Sequence, residues 1–122
     1  MRLALAMAGA IACASCASSL ARLTRTPPLM TPDGVQFAVM QQHARSVTVA
    51  GNFNQWSTSS HPLARQSASG VWTAIVMLPP GEHLFMYVVD GTQWISPPAA
   101  EDYAHDGFGA RNGIVIVREK ER

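Results

Sequence analysis

Cysteine is nearly absent from this chain, and its placement says more than its count. The only two, Cys13 and Cys16, stand near the amino terminus, so everything after residue 17 must fold without a disulfide and be held by burial alone. A lone Cys-x-x-Cys pair is also short of the roughly four ligands a zinc site takes. Surplus charge is absent as well. Nine Lys+Arg against eight Asp+Glu give a formal net charge of +1, which excludes a general binder of nucleic-acid phosphates. Charged residues make up only 14% of the chain, but 48% is hydrophobic, which is not the profile of disorder. With 122 residues there is room for one ordinary domain and none for a (β/α)₈ barrel of roughly 250. Catalytic signatures are missing too. Ser57, Ser59 and Ser60 lack a Gly-x-Ser-x-Gly elbow, and there is no Gly-rich phosphate loop. His43, His61 and His83 lie apart without ligand spacing. Glu101, Asp102, His105 and Asp106 cluster in a Pro/Ala/Gly-flanked loop, where solvated acids and turn caps are the default. The expectation is a non-enzyme with no metal and no cofactor.

From Leu3 to Ala21 there is no charge, only an Ala/Leu-rich run with small residues near Cys13 to Ala17. That pattern predicts an export signal or membrane anchor over residues 1–17. The run Ala10-Ile11-Ala12-Cys13 also resembles a lipoprotein cleavage box with Cys13 as the lipidated residue, although Ala10 stands where Leu is usual. The expected location is exported, periplasmic or membrane-tethered in a bacterial envelope, with membrane contact only through this leader. Residues 18–33, with Pro27-Pro28, read as an extended linker, and residues 119–122 as a charged tail.

From Gly34 the pattern changes to period two. Val35, Phe37 and Val39 alternate with Gln36, Ala38 and Met40, and Val47 and Val49 follow. Apolar runs recur at Val71 to Leu78, Leu84 to Val89 and Ile114 to Val117, each rich in strand-forming residues. Turn chemistry separates them at Gly51-Asn52, Ser69-Gly70, Pro79-Pro80-Gly81, Asp90-Gly91 and Asn112-Gly113, with Asp90-Gly91 as a hairpin tip. No helical stripe appears in this stretch. About seven short antiparallel strands over residues 34–118 predict an all-β, immunoglobulin-like sandwich. Within it Arg45, Arg65, Arg111 and Arg118 nearly balance Glu82, Asp90, Glu101, Asp102 and Asp106, so its ligand need not be charged.

Trp72 sits mid-strand and reads as core. Trp56 lies instead in the loop Gly51-Asn-Phe-Asn-Gln-Trp56, Trp94 follows a tight turn, and Asn112 ends a Gly-rich loop. Loop indoles offer flat apolar faces, and an amide both donates and accepts. Together they suit a sugar ring, whose C–H face stacks while its hydroxyls hydrogen-bond. Singly, each also fits a structural role: loop anchor for either Trp, left-handed turn residue for Asn112.

Three segments, Val47-Thr-Val-Ala-Gly-Asn-Phe-Asn-Gln-Trp56, Leu78-Pro-Pro-Gly-Glu-His83 and Tyr87-Val-Val-Asp-Gly91 with Trp94, resemble carbohydrate-binding module family 48. Its members include the glycogen-binding domain of the AMP-activated protein kinase β subunit and the domain preceding the barrel in isoamylases and branching enzymes of glycoside hydrolase family 13. The resemblance implies an early-set sandwich and a non-catalytic module binding α-1,4-glucan. It implies that Trp56 and Trp94 are stacking platforms, that Asn112 is a hydrogen-bonding amide, and that Phe108 is the apolar residue inserted into the sugar helix. The family's Lys is replaced by Met86, and Ala110 stands in place of a Thr. Asp106-Gly107-Phe108-Gly109 is also similar to the module at the ends of small envelope-associated bacterial proteins. Two alternatives use the same sandwich: an interaction module for an envelope protein, and a detached accessory domain of a family 13 enzyme.

Overall fold

The computed structural model describes residues 20–119, so the leader with Cys13 and residues 120–122 of the tail lie outside the described part. After a helical turn at 20–23 come nine strands: β1 (Leu29–Thr31), β2 (Gly34–Met40), β3 (Val47–Gly51), β4 (Ala64–Gln66), β5 (Val71–Val76), β6 (Gly81–Val89), β7 (Gln93–Ile95), β8 (Asp102–His105) and β9 (Arg111–Val117). They form two antiparallel sheets, ordered β1-β2-β5-β4 and β3-β6-β9-β8, with β7 also paired to β6. The immunoglobulin-like sandwich expected from the alternation is the architecture observed.

Alternation drives the assembly. In β2, Val35, Phe37 and Val39 are buried and their neighbours are not. From the other sheet Val47, Val49, Phe85, Tyr87, Val89 and Val115 meet them in one core, joined by Trp72 and Val76 of β5. Phe85 stands edge-on to Phe37 with ring centroids 5.0 Å apart, and Tyr87 edge-on to Phe85 at 5.7 Å. The Tyr87 hydroxyl donates to the Ala38 carbonyl at 3.3 Å, tying the sheets together, and burial pushes its phenol far above the ordinary value. Trp72 is buried, as its mid-strand position predicts, with its indole N–H on the Gln41 carbonyl.

Three of the nine strands depart from expectation. β1 lies in the stretch read as linker, β8 in the stretch read as an acidic loop, and β4 in a polar segment. Each has three or four residues, too few to show a period. Each is recruited by a neighbour's unsatisfied backbone edge. In β1 the Thr31 hydroxyl donates to the Gly34 carbonyl at 2.8 Å and accepts from the Asp33 amide at 3.2 Å, which closes the turn into β2. The Asn112-Gly113 pair is corrected as well: it lies inside β9. Gly113 is there for space, since a Cβ would stand 2.7 Å from Pro97 and 2.9 Å from the Phe85 ring.

β6 governs the second sheet. One of its edges pairs with β3 from Phe85 to Val89. The opposite edge is divided, with Gly81 to Phe85 taken by β9 and Tyr87 to Val89 by β7. Met86 sits where the partner changes. The β6–β7 turn places Asp90 and Gly91 at φ of 53° and 77°, the positive values its tight geometry demands. The Asp90 carboxylate accepts from the Arg45 and Ser46 amides at 2.7 and 3.1 Å.

Those two backbone N–H groups hold the Asp90 carboxyl below the ordinary carboxylate range. Its stabilising contribution is therefore complete above that range and is lost as pH falls through the lower, folded value. Thermal melts across the acid range should show a shallower loss of Tm in Asp90→Asn, which keeps the acceptor oxygen and does not titrate.

Candidate functional site

The outer face of the second sheet carries the site. Core-facing positions of β6 are odd-numbered, so Leu84, Met86 and Val88 point the other way. Yet Met86 is only 6% exposed, and Val88 and Ala50 are fully buried. Ala50 lies across from Met86, and Trp94 across from Val88. Asn112 lies one residue beyond the Gly113–Phe85 pair, on the strand that ends at the Met86 gap. Register alone thus draws Trp94 and Asn112 to either side of Met86.

Trp56 arrives from the loop after β3. Gly51 is required at its start, because a Cβ there would run into the Leu84 carbonyl and the Phe53 ring. Asn52 then replaces a strand residue: its amide donates to the Leu84 carbonyl and its side-chain oxygen accepts from the Leu84 amide at 3.0 Å. Gln55 and Trp56 both sit at φ 58°, a left-handed conformation costly for residues with side chains. Asn54 holds them there. Its Oδ1 accepts from the amides of Gly51 (3.0 Å) and Ser57 (3.2 Å), while its Nδ2 donates to the Val49 carbonyl at 3.1 Å and lies 2.8 Å from His61 Nδ1. The Trp56 amide itself donates to the Gly51 carbonyl at 2.8 Å.

The third wall is the turn from Asp106 to Ala110. One Asp106 oxygen accepts from the Phe108 and Ala110 amides at 2.7 and 3.1 Å, and the Asp106 amide donates to the Ala110 carbonyl. Gly107 and Gly109, at φ 86° and 95°, allow this tight course. Phe108 is held at its tip, 93% exposed.

Trp56, Met86, Trp94, Phe108 and Asn112, all singled out in the sequence, line one open concavity of about 460 Å³, together with Asp106 and Ala110. The two indoles lie 6.5 Å apart between centroids and are tilted by 47°. Trp94 is 42% exposed and Trp56 half-buried. Among the described residues no cation lines the hollow: Arg111 lies over the Tyr103 ring instead, 4.3 Å from its centroid. Asp106 and Asn54 belong to the site without a site-like pattern of their own in the sequence. What marks them is local: an acid opening an Asp-Gly-x-Gly turn and a second Asn in the Trp56 loop. Among the described residues no three His, Cys, Asp or Glu side chains are grouped to hold a metal. The arrangement offers aromatic faces, a thioether floor, one amide and one carboxylate, a surface suited to binding a polar ring with apolar faces.

A family model described as the glycogen recognition site of AMP-activated protein kinase matches residues 36–122. The chain is similar to the 1,4-alpha-glucan branching enzyme GlgB of Pseudomonas syringae pv. syringae, 40% identical over 73 residues, which are 59% of this chain and 10% of that protein. To GlgB 2 of Rhizobium johnstonii it is 34% identical over 85 residues, 69% of this chain and 12% of that one. To GlgB of Burkholderia vietnamiensis it is 46% identical over 52 residues, 42% and 7% respectively. The chain spans about a tenth of the length of these curated relatives.

Asn54→Ala removes the side chain that fixes the Trp56 loop and leaves backbone amides unpaired. Urea denaturation should show a loss of about 1–3 kcal/mol.

Proposed function

The chain belongs to the glycogen-recognition family of AMP-activated protein kinase, carbohydrate-binding module family 48, and we propose that it binds α-1,4-glucan by stacking glucose units on Trp56 and Trp94. A module of this family is a carbohydrate-binding unit and is not itself catalytic. The observation that carries the stacking role is the tilt of the two indoles: faces inclined by 47° suit a chain that turns between successive sugars. An α-1,4-linked glucan curls in this way, whereas a β-1,4-linked one runs flat. Asn112 supplies donor and acceptor for ring hydroxyls, and Phe108 reaches out from the rim toward the apolar inside of a curved chain. Met86 leaves the floor without the ammonium that kinase members of the family bring, and Ala110 leaves it without a hydroxyl. Each aromatic contact is worth about 0.5–1.5 kcal/mol, and after association costs the expected dissociation constant is about 0.1–1 mM.

An envelope protein as partner would favour indoles packed against the module's own loops, and the openness of Trp94 supports sugar instead. The relatives' names give their action on 1,4-alpha-glucan, and accessory service to such an enzyme is compatible with the same site. Export through residues 1–17 belongs to this proposal as its location.

Trp fluorescence titrated with maltoheptaose should saturate, and cellohexaose should give no response. Trp56→Ala and Trp94→Ala should each weaken binding roughly two- to tenfold. Equal responses to both glucans, or variants that bind as well as the parent, would overturn the stacking role.

A further inference from the structure

We propose that His61 is a positioning residue for the Trp56 platform, holding the Asn54 amide as a neutral imidazole, so that acid loosens the platform. Donors and acceptors around Asn54 fix the state of the ring. Backbone amides of Gly51 and Ser57 can only donate, so the Asn54 atom facing them is the oxygen. The Val49 carbonyl can only accept, so the atom facing it is the Asn54 nitrogen. That same nitrogen lies 2.8 Å from His61 Nδ1. Nδ1 is therefore the bare, accepting nitrogen of the ring, and the proton sits on Nε2. Every hydrogen-bonding capacity of the Asn54 side chain is then used. A second proton, on Nδ1, sets N–H against N–H and leaves one amide hydrogen without a partner in a partly buried place.

The surroundings direct the effect toward Trp56. His61 is tied down by its own carbonyl, which accepts from the Val49 amide at 3.0 Å, and by the Phe53 ring standing edge-on at 5.7 Å. The Asn54 side chain also holds the amides of Gly51 and Ser57 on either side of the left-handed pair Gln55–Trp56, so a displacement of its amide is felt at Trp56. Between Arg45 and Arg65, His61 is the only ionisable residue, so neither β3 nor the Trp56 loop contributes one. Arg65, on β4, turns to the Gln42 carbonyl and the Trp72 ring. His83, on β6, stands beyond the Phe53 ring at 6.1 Å, with its Nε2 on the Pro79 carbonyl. Among the described residues no carboxylate pairs with His61; the ion pair present is Arg118 with Glu101.

The consequence for sugar rests on the binding role proposed above, but the link from His61 to Trp56 does not. The free protein is therefore followed first, by ¹H–¹⁵N NMR from about pH 8 to about pH 5, the range in which imidazoles change charge. Trp56→Phe assigns the indole signal. The Trp56 indole should shift or broaden in step with the His61 ring, and the His61 ring should show the Nε2–H tautomer at the alkaline end. A Trp56 signal that ignores the His61 titration, or a proton on Nδ1 at the alkaline end, overturns the proposal. Maltoheptaose titrations at both ends of the range should show binding weaker by roughly two- to tenfold in acid, the worth of one partly buried hydrogen bond. His61→Gln, which keeps an acceptor and does not titrate, should lose that pH dependence and retain alkaline binding. An undiminished acid effect in His61→Gln also overturns the proposal. If maltoheptaose binds at neither pH, the sugar role falls, and the spectra of the free protein still decide whether His61 holds Trp56.

Discussion

Strand β6 gives one backbone edge to β3 and divides the other between β9 and β7, and the geometry of the site follows from that division. A strand has only two hydrogen-bonding edges, so a change of partner must leave a gap at the changeover. The gap falls at Met86. Because register fixes which residues stand opposite each other, Trp94 and Asn112 approach that gap from its two sides. Phe85 and Tyr87, the flanking residues, point into the core and hold the same strand from beneath. The floor of the hollow and the centre of the sandwich are thus opposite faces of one piece of backbone.

Trp56 is placed by a different means. The ladder ends at Gly51, and a loop with two left-handed non-glycine residues carries the indole back over the sheet. Such a conformation costs of order 1–3 kcal/mol per residue and persists only where its surroundings over-determine it. Here the Asn54 side chain does so with contacts to Gly51, Ser57, Val49 and His61. One indole therefore rests on register and the other on a saturated amide, and their placements respond to different perturbations.

The alternation of Val35, Phe37 and Val39 and the long runs after Val71 and Leu84 revealed the sandwich, because period two has only one way to bury one face of a strand. Short edge strands stayed hidden for the converse reason. Leu29 to Thr31 and Asp102 to His105 owe their extended form to a neighbour's backbone rather than to their own side chains. Loop aromatics were legible as candidates because an indole outside an alternating strand needs a reason to be there. That they converge was not legible from composition or spacing, since it depends on the β6 changeover. Asn54 went unrecognised because a side chain serving the backbone leaves no periodic trace, and Asn112-Gly113 misled because glycine serves space as often as turning.

Geometry and chemistry are held by separate parts of this molecule. Ladder hydrogen bonds set where Met86, Trp94 and Asn112 stand, and those bonds are made by backbone atoms common to nearly every residue type. Ala110 likewise sits in a turn closed by the Asp106 carboxylate and main-chain amides. Trp94 and Asn112 point away from the core and can be exchanged without disturbing how the hollow is built, whereas the buried Met86 must also keep its packing. Such a frame is open to tinkering: the lining of the hollow can drift by single substitutions across one face while the opposite face keeps the fold intact.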